Sequence, residues 1–137
     1  RSSPCVLNWD YFATAEAWAV FPDVREHWPR ILARDAPVAI ASNFDSRLRD
    51  ILVGHKLWIE GRTFWSSHLR SAKPDQRFFR AIESAVGFTP TDALMVGDDR
   101  RNDYQAALDA GWSALLIDRR QRSGDGEIST IRSFADL

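Results

Sequence analysis

Residues 93–103 read Ala-Leu-Met-Val-Gly-Asp-Asp-Arg-Arg-Asn-Asp, an apolar run followed by an acidic cluster. The apolar part predicts a buried strand that ends at Gly97, just before a helix. Ligands of an open parallel α/β sheet bind in the crevice outside the carboxyl ends of its strands. The carboxylates there would repel one another without a cation between them, and such hard oxygen ligands indicate Mg²⁺. The candidate metal ligands are Asp98, Asp99 and Asp103. Taken alone, the stretch is equally consistent with an ordinary turn in which Asp caps the helix.

Apolar runs alternate with amphipathic patterns through most of the chain. The predicted strands are 38–41, 63–66, 93–96 and 113–117. The predicted helices are 10–20, one that begins at Pro22, 45–54, 73–87 and 102–110. In the helix that begins at Pro22, Leu32 is predicted on the buried face, and Pro29 is expected to end or kink the helix. Alternating strands and helices form parallel sheets with helices on both faces, so the sequence predicts an α/β fold with an open sheet.

Composition sets limits on size and partners. A chain of 137 residues is the length of one domain, and its net charge of −1 gives no electrostatic argument for nucleic acid or a membrane as partner. No apolar run is long enough to span a bilayer. Cys5 is the only cysteine, so no internal disulfide can form and a reducing cytoplasm is expected. Because the chain begins at Arg1 rather than Met, we expect the gene product to start upstream.

Polar residues that suit phosphoryl transfer follow successive strands. Ser42 and Asn43 offer a hydroxyl and a backbone N–H for an anionic oxygen. Lys73 adds a positive charge for the same anion, and the carboxylates after Gly97 hold a cation that offsets the remaining negative charge. Positioning and electrostatics supply most of the catalysis in such sites. The order of hydroxyl, lysine and carboxylates is more specific than any one of them.

Three of these stretches resemble motifs of the haloacid dehalogenase (HAD) superfamily. Residues 38–43 (Val-Ala-Ile-Ala-Ser-Asn) resemble its second motif, Lys73-Pro74-Asp75 its third, and residues 97–103 its fourth. The resemblance covers roughly residues 9–118, and residues 42–48 resemble a phosphatase-like subgroup. It implies a HAD-like, Rossmann-type sheet and a Mg²⁺-dependent hydrolase that acts on a small phosphorylated metabolite.

The resemblance also implies a role for each matched residue. Ser42 and the Asn43 backbone would bind the phosphoryl group, and Lys73 would stabilise its charge. Asp98 would be a Mg²⁺ ligand, and Asp103 a second ligand or its support. Asp99 would tune or orient the cluster.

The first motif of the superfamily, an apolar strand ending in Asp-x-Asp-x-Thr, does not occur in this chain. Its first Asp is the nucleophile and a metal ligand, and its second is the general acid/base. Residues 5–14 follow its outline, with Asp10 and Thr14 in place and Phe12 where the second Asp belongs. Asp10 is therefore a candidate nucleophile. Alternatively, it caps a helix at 10–20 that returns from a cap region.

On that second interpretation, the chain is the carboxyl-terminal part of a HAD protein. Residues 1–21 would be a remnant of the cap and 22–137 the α/β core, without the central nucleophile strand. The empty position could be filled by another segment, with Cys5–Trp9 as the available apolar stretch. It could also be filled by a second chain, or closed by the flanking strands. A homodimer or strand exchange is therefore predicted.

Two functions follow from the sequence. The first is a Mg²⁺-dependent phosphohydrolase, and the alternative is a HAD remnant that binds phosphate or a protein partner without turnover. Each matched residue also has an ordinary structural interpretation: Asp98 and Asp103 as helix caps, Lys73 as a surface residue and Ser42 as a helix-starting hydroxyl.

Overall fold

The computed structural model describes residues 5–8, 19–121 and 128–137, and for residues 5–8 it describes the backbone alone. The strands are β1 Cys5–Asn8, β2 Val38–Ser42, β3 Thr63–Trp65, β4 Leu94–Gly97, β5 Ser113–Ile117 and β6 Thr130–Ile131. The α-helices are α1 Pro22–Leu32, α2 Arg47–Gly54, α3 Ser66–Leu69, α4 Gln76–Val86 and α5 Ala106–Asp109. The predicted α/β architecture is confirmed.

These strands form one parallel sheet in the order β3-β2-β1-β4-β5-β6. β1 lies in the middle and pairs with β2 on one side and β4 on the other, with Leu7 opposite Ile40 and Val96. The chain's own residues 5–8 thus fill the central position that the sequence left open. A strand from a second chain is therefore not needed at this position. The homodimer stays a prediction, but the empty strand position no longer supports it.

The position of β1 also bears on the domain boundary. Residues 5–8 were predicted to belong to a cap remnant, but they pair inside the core sheet, so the α/β core includes them. Residues 10–18 of the predicted helix 10–20, with Asp10, lie outside the described residues. Residues 19 and 20 are not helical.

The sheet is covered on both faces. All five residues of β2 are buried, and the side chains of its first four residues alternate between two hydrophobic clusters. Val38 and Ile40 pack with α1 and α2 on one face. Ala39 and Ala41 face the aromatic side of α4 on the other. A strand buried on both faces reads as a continuous apolar run, which is why the sequence predicted β2 correctly.

Helix α1 departs from expectation at its carboxyl end. Pro29 was expected to end or kink it, yet the helix continues to Leu32. Trp28 and Ile31, at 5% and 0% exposure, are buried around Pro29, and their packing outweighs the missing backbone N–H. Leu32, the last residue of the helix, was predicted on the buried face but is 43% exposed.

The helix predicted at residues 102–110 begins differently. A π-helix spans Arg100–Gln105 and leads directly into α5. Single π-turns within helices are frequent at functional sites, and this one begins immediately after Asp99 and contains Asp103. Within the described part of the chain, no helix is both long and apolar enough to cross a membrane.

Candidate functional site

The predicted site residues meet at the carboxyl edge of the central strands. β2 ends at Ser42, which is fully buried, and β4 ends at Gly97. β1 lies between them, so its carboxyl end opens onto the same edge. This is the crevice in which ligands of open α/β sheets bind. Ser42 is the last residue of the buried strand β2, and helix α2 begins only at Arg47. The alternative interpretation of Ser42 as a residue that merely starts a helix therefore does not agree with the structure.

Lys73 is a buried residue rather than a surface one. Its Nζ donates to Asp103 Oδ1 at 2.7 Å, and both side chains have no exposed surface. A charge taken out of water needs a partner of opposite sign, and breaking a buried pair is strongly destabilising. The chain therefore keeps a fixed positive charge beside the crevice.

Asp103 also fixes the backbone of the acidic turn. Its Oδ2 accepts from the Asp99 N–H at 3.0 Å, while Oδ1 accepts from Lys73. The carboxylate lies directly over Gly97: a Cβ built on that residue would lie 2.5 Å from Asp103 Cγ. Asp103 is fully buried, and only glycine at position 97 leaves room for its carboxylate.

Asp99 caps the π-helix. Its Oδ1 accepts from the Arg101 N–H at 3.0 Å and from the Asn102 N–H at 2.7 Å. Asp98, one residue earlier, is exposed. The side chain of Asp99 therefore orients the turn, and the carboxylate presented to solvent at the end of β4 is that of Asp98.

The side chain of Asn43 holds the backbone of Lys73. Its Oδ1 accepts from the Lys73 N–H at 2.9 Å, and its Nδ2 donates to the Lys73 carbonyl at 3.0 Å. The sequence assigned only the Asn43 backbone to the site. No local pattern indicates this contact, because the two residues are far apart in the sequence.

These contacts define the path of the Lys73 side chain. Its backbone is held at the end of β2 by Asn43, and its ammonium at the end of β4 by Asp103. β1 separates those two strands in the sheet. The lysine therefore links the carboxyl ends of β2 and β4, the two strands that flank β1.

Helix α4 starts at Gln76, shortly after Lys73, and is anchored by its N-cap residue Asp75. Asp75 accepts from the Arg77 N–H at 2.8 Å and pairs with the Arg77 guanidinium at 2.8 Å. The hydrogen bonds from the Arg77 side chain and backbone lower the pKa of Asp75 to about 2. Asp75 is therefore charged at neutral pH, and the turn that carries Lys73 has a fixed end.

The three predicted metal ligands do not form one cluster. No group of three or more His, Cys, Asp or Glu residues among those described could hold a metal ion. The carboxylates of Asp99 and Asp103 make the contacts given above, which favour orienting roles for both. Mg²⁺ is commonly bound through one or two carboxylates together with water and substrate phosphate. Asp98 fits that kind of site, whereas a three-carboxylate cage does not.

Comparison with known proteins places the chain in a family. A sequence model of haloacid dehalogenase-like hydrolases matches residues 6–111. Phosphoserine phosphatase of Thermus thermophilus is 30% identical over 93% of this chain and 52% of its own length. Haloacid dehalogenase-like hydrolase domain-containing protein 3 of Xenopus laevis is 34% identical over 77% of this chain and 44% of its own length.

The fold agrees with that match. The crystal structure of a HAD phosphatase from Thermococcus onnurineus superposes with a TM-score of 0.69 at 23% identity, over 86% of this chain and 56% of that chain. The chain spans about half the length of the curated relatives it matches. From the family match and the shared fold, we conclude that this chain belongs to the haloacid dehalogenase-like hydrolase family.

Proposed function

We propose that the chain carries a phosphohydrolase site that cleaves phosphate monoesters with Mg²⁺ in the crevice between Ser42, Lys73 and Asp98. The observation that carries the proposal is the buried Lys73–Asp103 pair, which keeps an ammonium beside that crevice. A fixed cation of this kind stabilises the charge that develops on a transferring phosphoryl group. Relatives named as phosphatases support the same reaction class.

In this proposal each residue has a separate task. The Ser42 hydroxyl and the Asn43 N–H bind phosphoryl oxygens, and Lys73 offsets their charge. Asp98 holds Mg²⁺, which when bound neutralises further charge on the phosphoryl group. Asp99 and Asp103 keep the turn and the lysine in place through the contacts described above.

Asp10 is the proposed nucleophile. It follows β1 in the sequence, and β1 occupies the central position of the sheet between Ser42 and Gly97. Its carboxylate would attack phosphorus as the P–O ester bond breaks and the alcohol leaves. Water would then hydrolyse the aspartyl phosphate, which releases phosphate and regenerates Asp10.

The competing proposal is phosphate or partner binding without turnover. It is favoured by Phe12, which stands where the superfamily has its second Asp, the general acid/base. Without that group a leaving alkoxide has no obvious proton donor. The substrate itself, a small phosphorylated metabolite, and a cytoplasmic location remain parts of the first proposal.

Hydrolysis of an aryl phosphate and of phosphoserine, with and without Mg²⁺, tests the two proposals. We expect Mg²⁺-dependent turnover by the parent chain and a loss of about 100-fold or more in Asp98→Asn and Asp10→Asn. Asp35→Asn is the matched control, because Asp35 is exposed and precedes β2 at the opposite edge of the sheet.

The outcomes separate the candidates. Activity kept in Asp10→Asn but lost in Asp98→Asn would eliminate Asp10 as the nucleophile. An aryl phosphate that is bound but not turned over by the parent chain would support the binding protein instead.

A further inference from the structure

Lys73 lies in a turn between α3 and α4, outside any strand or helix. Its backbone N–H and carbonyl are both engaged by one side chain, that of Asn43. The amide thus pairs with the Lys73 backbone in the way that a neighbouring strand would. It ties the turn to the end of β2.

Asparagine is well suited to this contact. The amide offers one donor and one acceptor in the same plane, matching a backbone N–H and carbonyl. An aspartate could accept from the Lys73 N–H but could not donate to the carbonyl, and an alanine could do neither. At its other end, the lysine is held by Asp103. The two contacts fix the length and direction of the side chain between them.

We propose that Asn43 is a positioning residue that sets the place of the Lys73 ammonium beside Asp103, at the carboxyl end of β4. The proposal deepens the phosphohydrolase proposal and rests on it for its catalytic consequence. The backbone N–H of residue 43 would still bind the phosphoryl group, while the side chain acts only through Lys73. Without the side chain, the turn can shift and the ammonium loses its fixed position.

Chemical labelling of the lysines tests whether Asn43 positions Lys73, and this test does not depend on enzymatic activity. The chain has two lysines, Lys73 and the exposed Lys56, so their reactivities can be compared within one molecule. Brief acetylation followed by mass spectrometry of peptides gives the ratio of modified Lys73 to modified Lys56. We expect Asn43→Ala to raise this ratio about tenfold, because two hydrogen bonds that hold the turn are lost.

Two further variants show whether the change in labelling comes from the lost Asn43 contacts or from general destabilisation. Asn43→Asp keeps the acceptor for the Lys73 N–H, so its ratio should lie between those of the parent chain and Asn43→Ala. Ile31→Val removes a methylene from the core on the α1 face and serves as a destabilised control. Thermal unfolding shows that each variant is folded. A ratio in Asn43→Ala no higher than in Ile31→Val would overturn the proposal.

Kinetics test the catalytic consequence. In Asn43→Ala, kcat should fall about tenfold with a smaller change in KM, because the backbone N–H that binds the phosphoryl group is unchanged. A kcat equal to that of the parent chain would overturn the positioning role. If the parent chain has no activity, the phosphohydrolase proposal fails, and the labelling ratio alone still decides whether Asn43 positions Lys73.

Discussion

At the scale of single residues, the acidic turn depends on the close approach of the Asp103 side chain to Gly97. Gly97 ends β4, and Asp103 folds back over it to reach both Lys73 and the Asp99 N–H. The sequence indicated that these residues belong together, because Gly-Asp-Asp follows an apolar run. It did not indicate that Asp103 is buried, since the burial results from the distant Lys73.

Replacing Gly97 with alanine should therefore lower the free energy of unfolding. The added Cβ would overlap the Asp103 carboxylate, and overpacking of this kind costs about 1–3 kcal/mol. Urea unfolding should show that loss in Gly97→Ala. Gly54→Ala is the matched control, because a Cβ there meets nothing within 4 Å and residue 54 lies in α2. Equal stability of the two variants would contradict the close contact.

Removing the charge of Asp103 should lower the free energy of unfolding by more than the Gly97→Ala substitution does. Asp103→Asn leaves the Lys73 ammonium buried without its counter-charge, which should lower the free energy of unfolding by about 3–5 kcal/mol. Chemical denaturation measures this change. The double variant Lys73→Met/Asp103→Leu should lose less than the sum of Lys73→Met and Asp103→Leu, because neither charge is then left alone. Additive losses would speak against a coupled pair.

At the scale of elements, the strands with a clear local pattern were predicted correctly. β2, β4 and β5 read as apolar runs, and the structure confirms them within a residue or so. β1 is short and mixed in composition, so its place could not be assigned from local pattern. Its pairing with β2 and β4 joins residues that are distant in the sequence, and such pairing is fixed by the whole sheet.

The central place of β1 can be tested through its backbone. Val6→Pro removes an N–H from a strand that has a parallel neighbour on each side. We expect a loss of about 1–3 kcal/mol or more in urea unfolding, from the broken ladder and the unpaired group left opposite. Val6→Thr keeps the N–H and should lose less. Equal, small effects of both variants would show that β1 is not paired at the centre.

At the scale of the whole molecule, the last described residues are attached to the first helix. Arg119 pairs with Asp23 of α1 at 3.1 Å, and its guanidinium carbon lies 3.9 Å from the Phe21 ring centroid. Asp23 Oδ2 also accepts from the Phe134 N–H at 2.8 Å. One carboxylate thus joins three distant parts of the chain. No local sequence pattern indicates this junction, because its residues are far apart in the sequence.

Because of this junction, the folding stability of the protein should depend on pH in the acid range. Burial raises the pKa of Asp23, but the hydrogen bonds from Arg119 and the Phe134 N–H outweigh it and leave the pKa below its ordinary 3.8. Because the folded pKa is the lower one, the stabilisation is complete above pH 3.8 and disappears as pH falls through the folded value. The Tm difference between the parent chain and Asp23→Asn should therefore shrink in that range. A constant difference from pH 7 to pH 2 would contradict this role.

The place of β1 also bears on the order in which the molecule can assemble. Its two neighbours in the sheet are β2, residues 38–42, and β4, residues 94–97. During synthesis β1 is therefore made well before β4, the strand that pairs with its second edge. A nascent chain that has not yet reached Leu94 holds β1 with one edge unpaired, and such an edge is a template for aggregation. The crevice forms when β4 docks and brings Gly97 and Asp98 beside β1. Formation of the crevice and closure of the sheet are therefore one folding event.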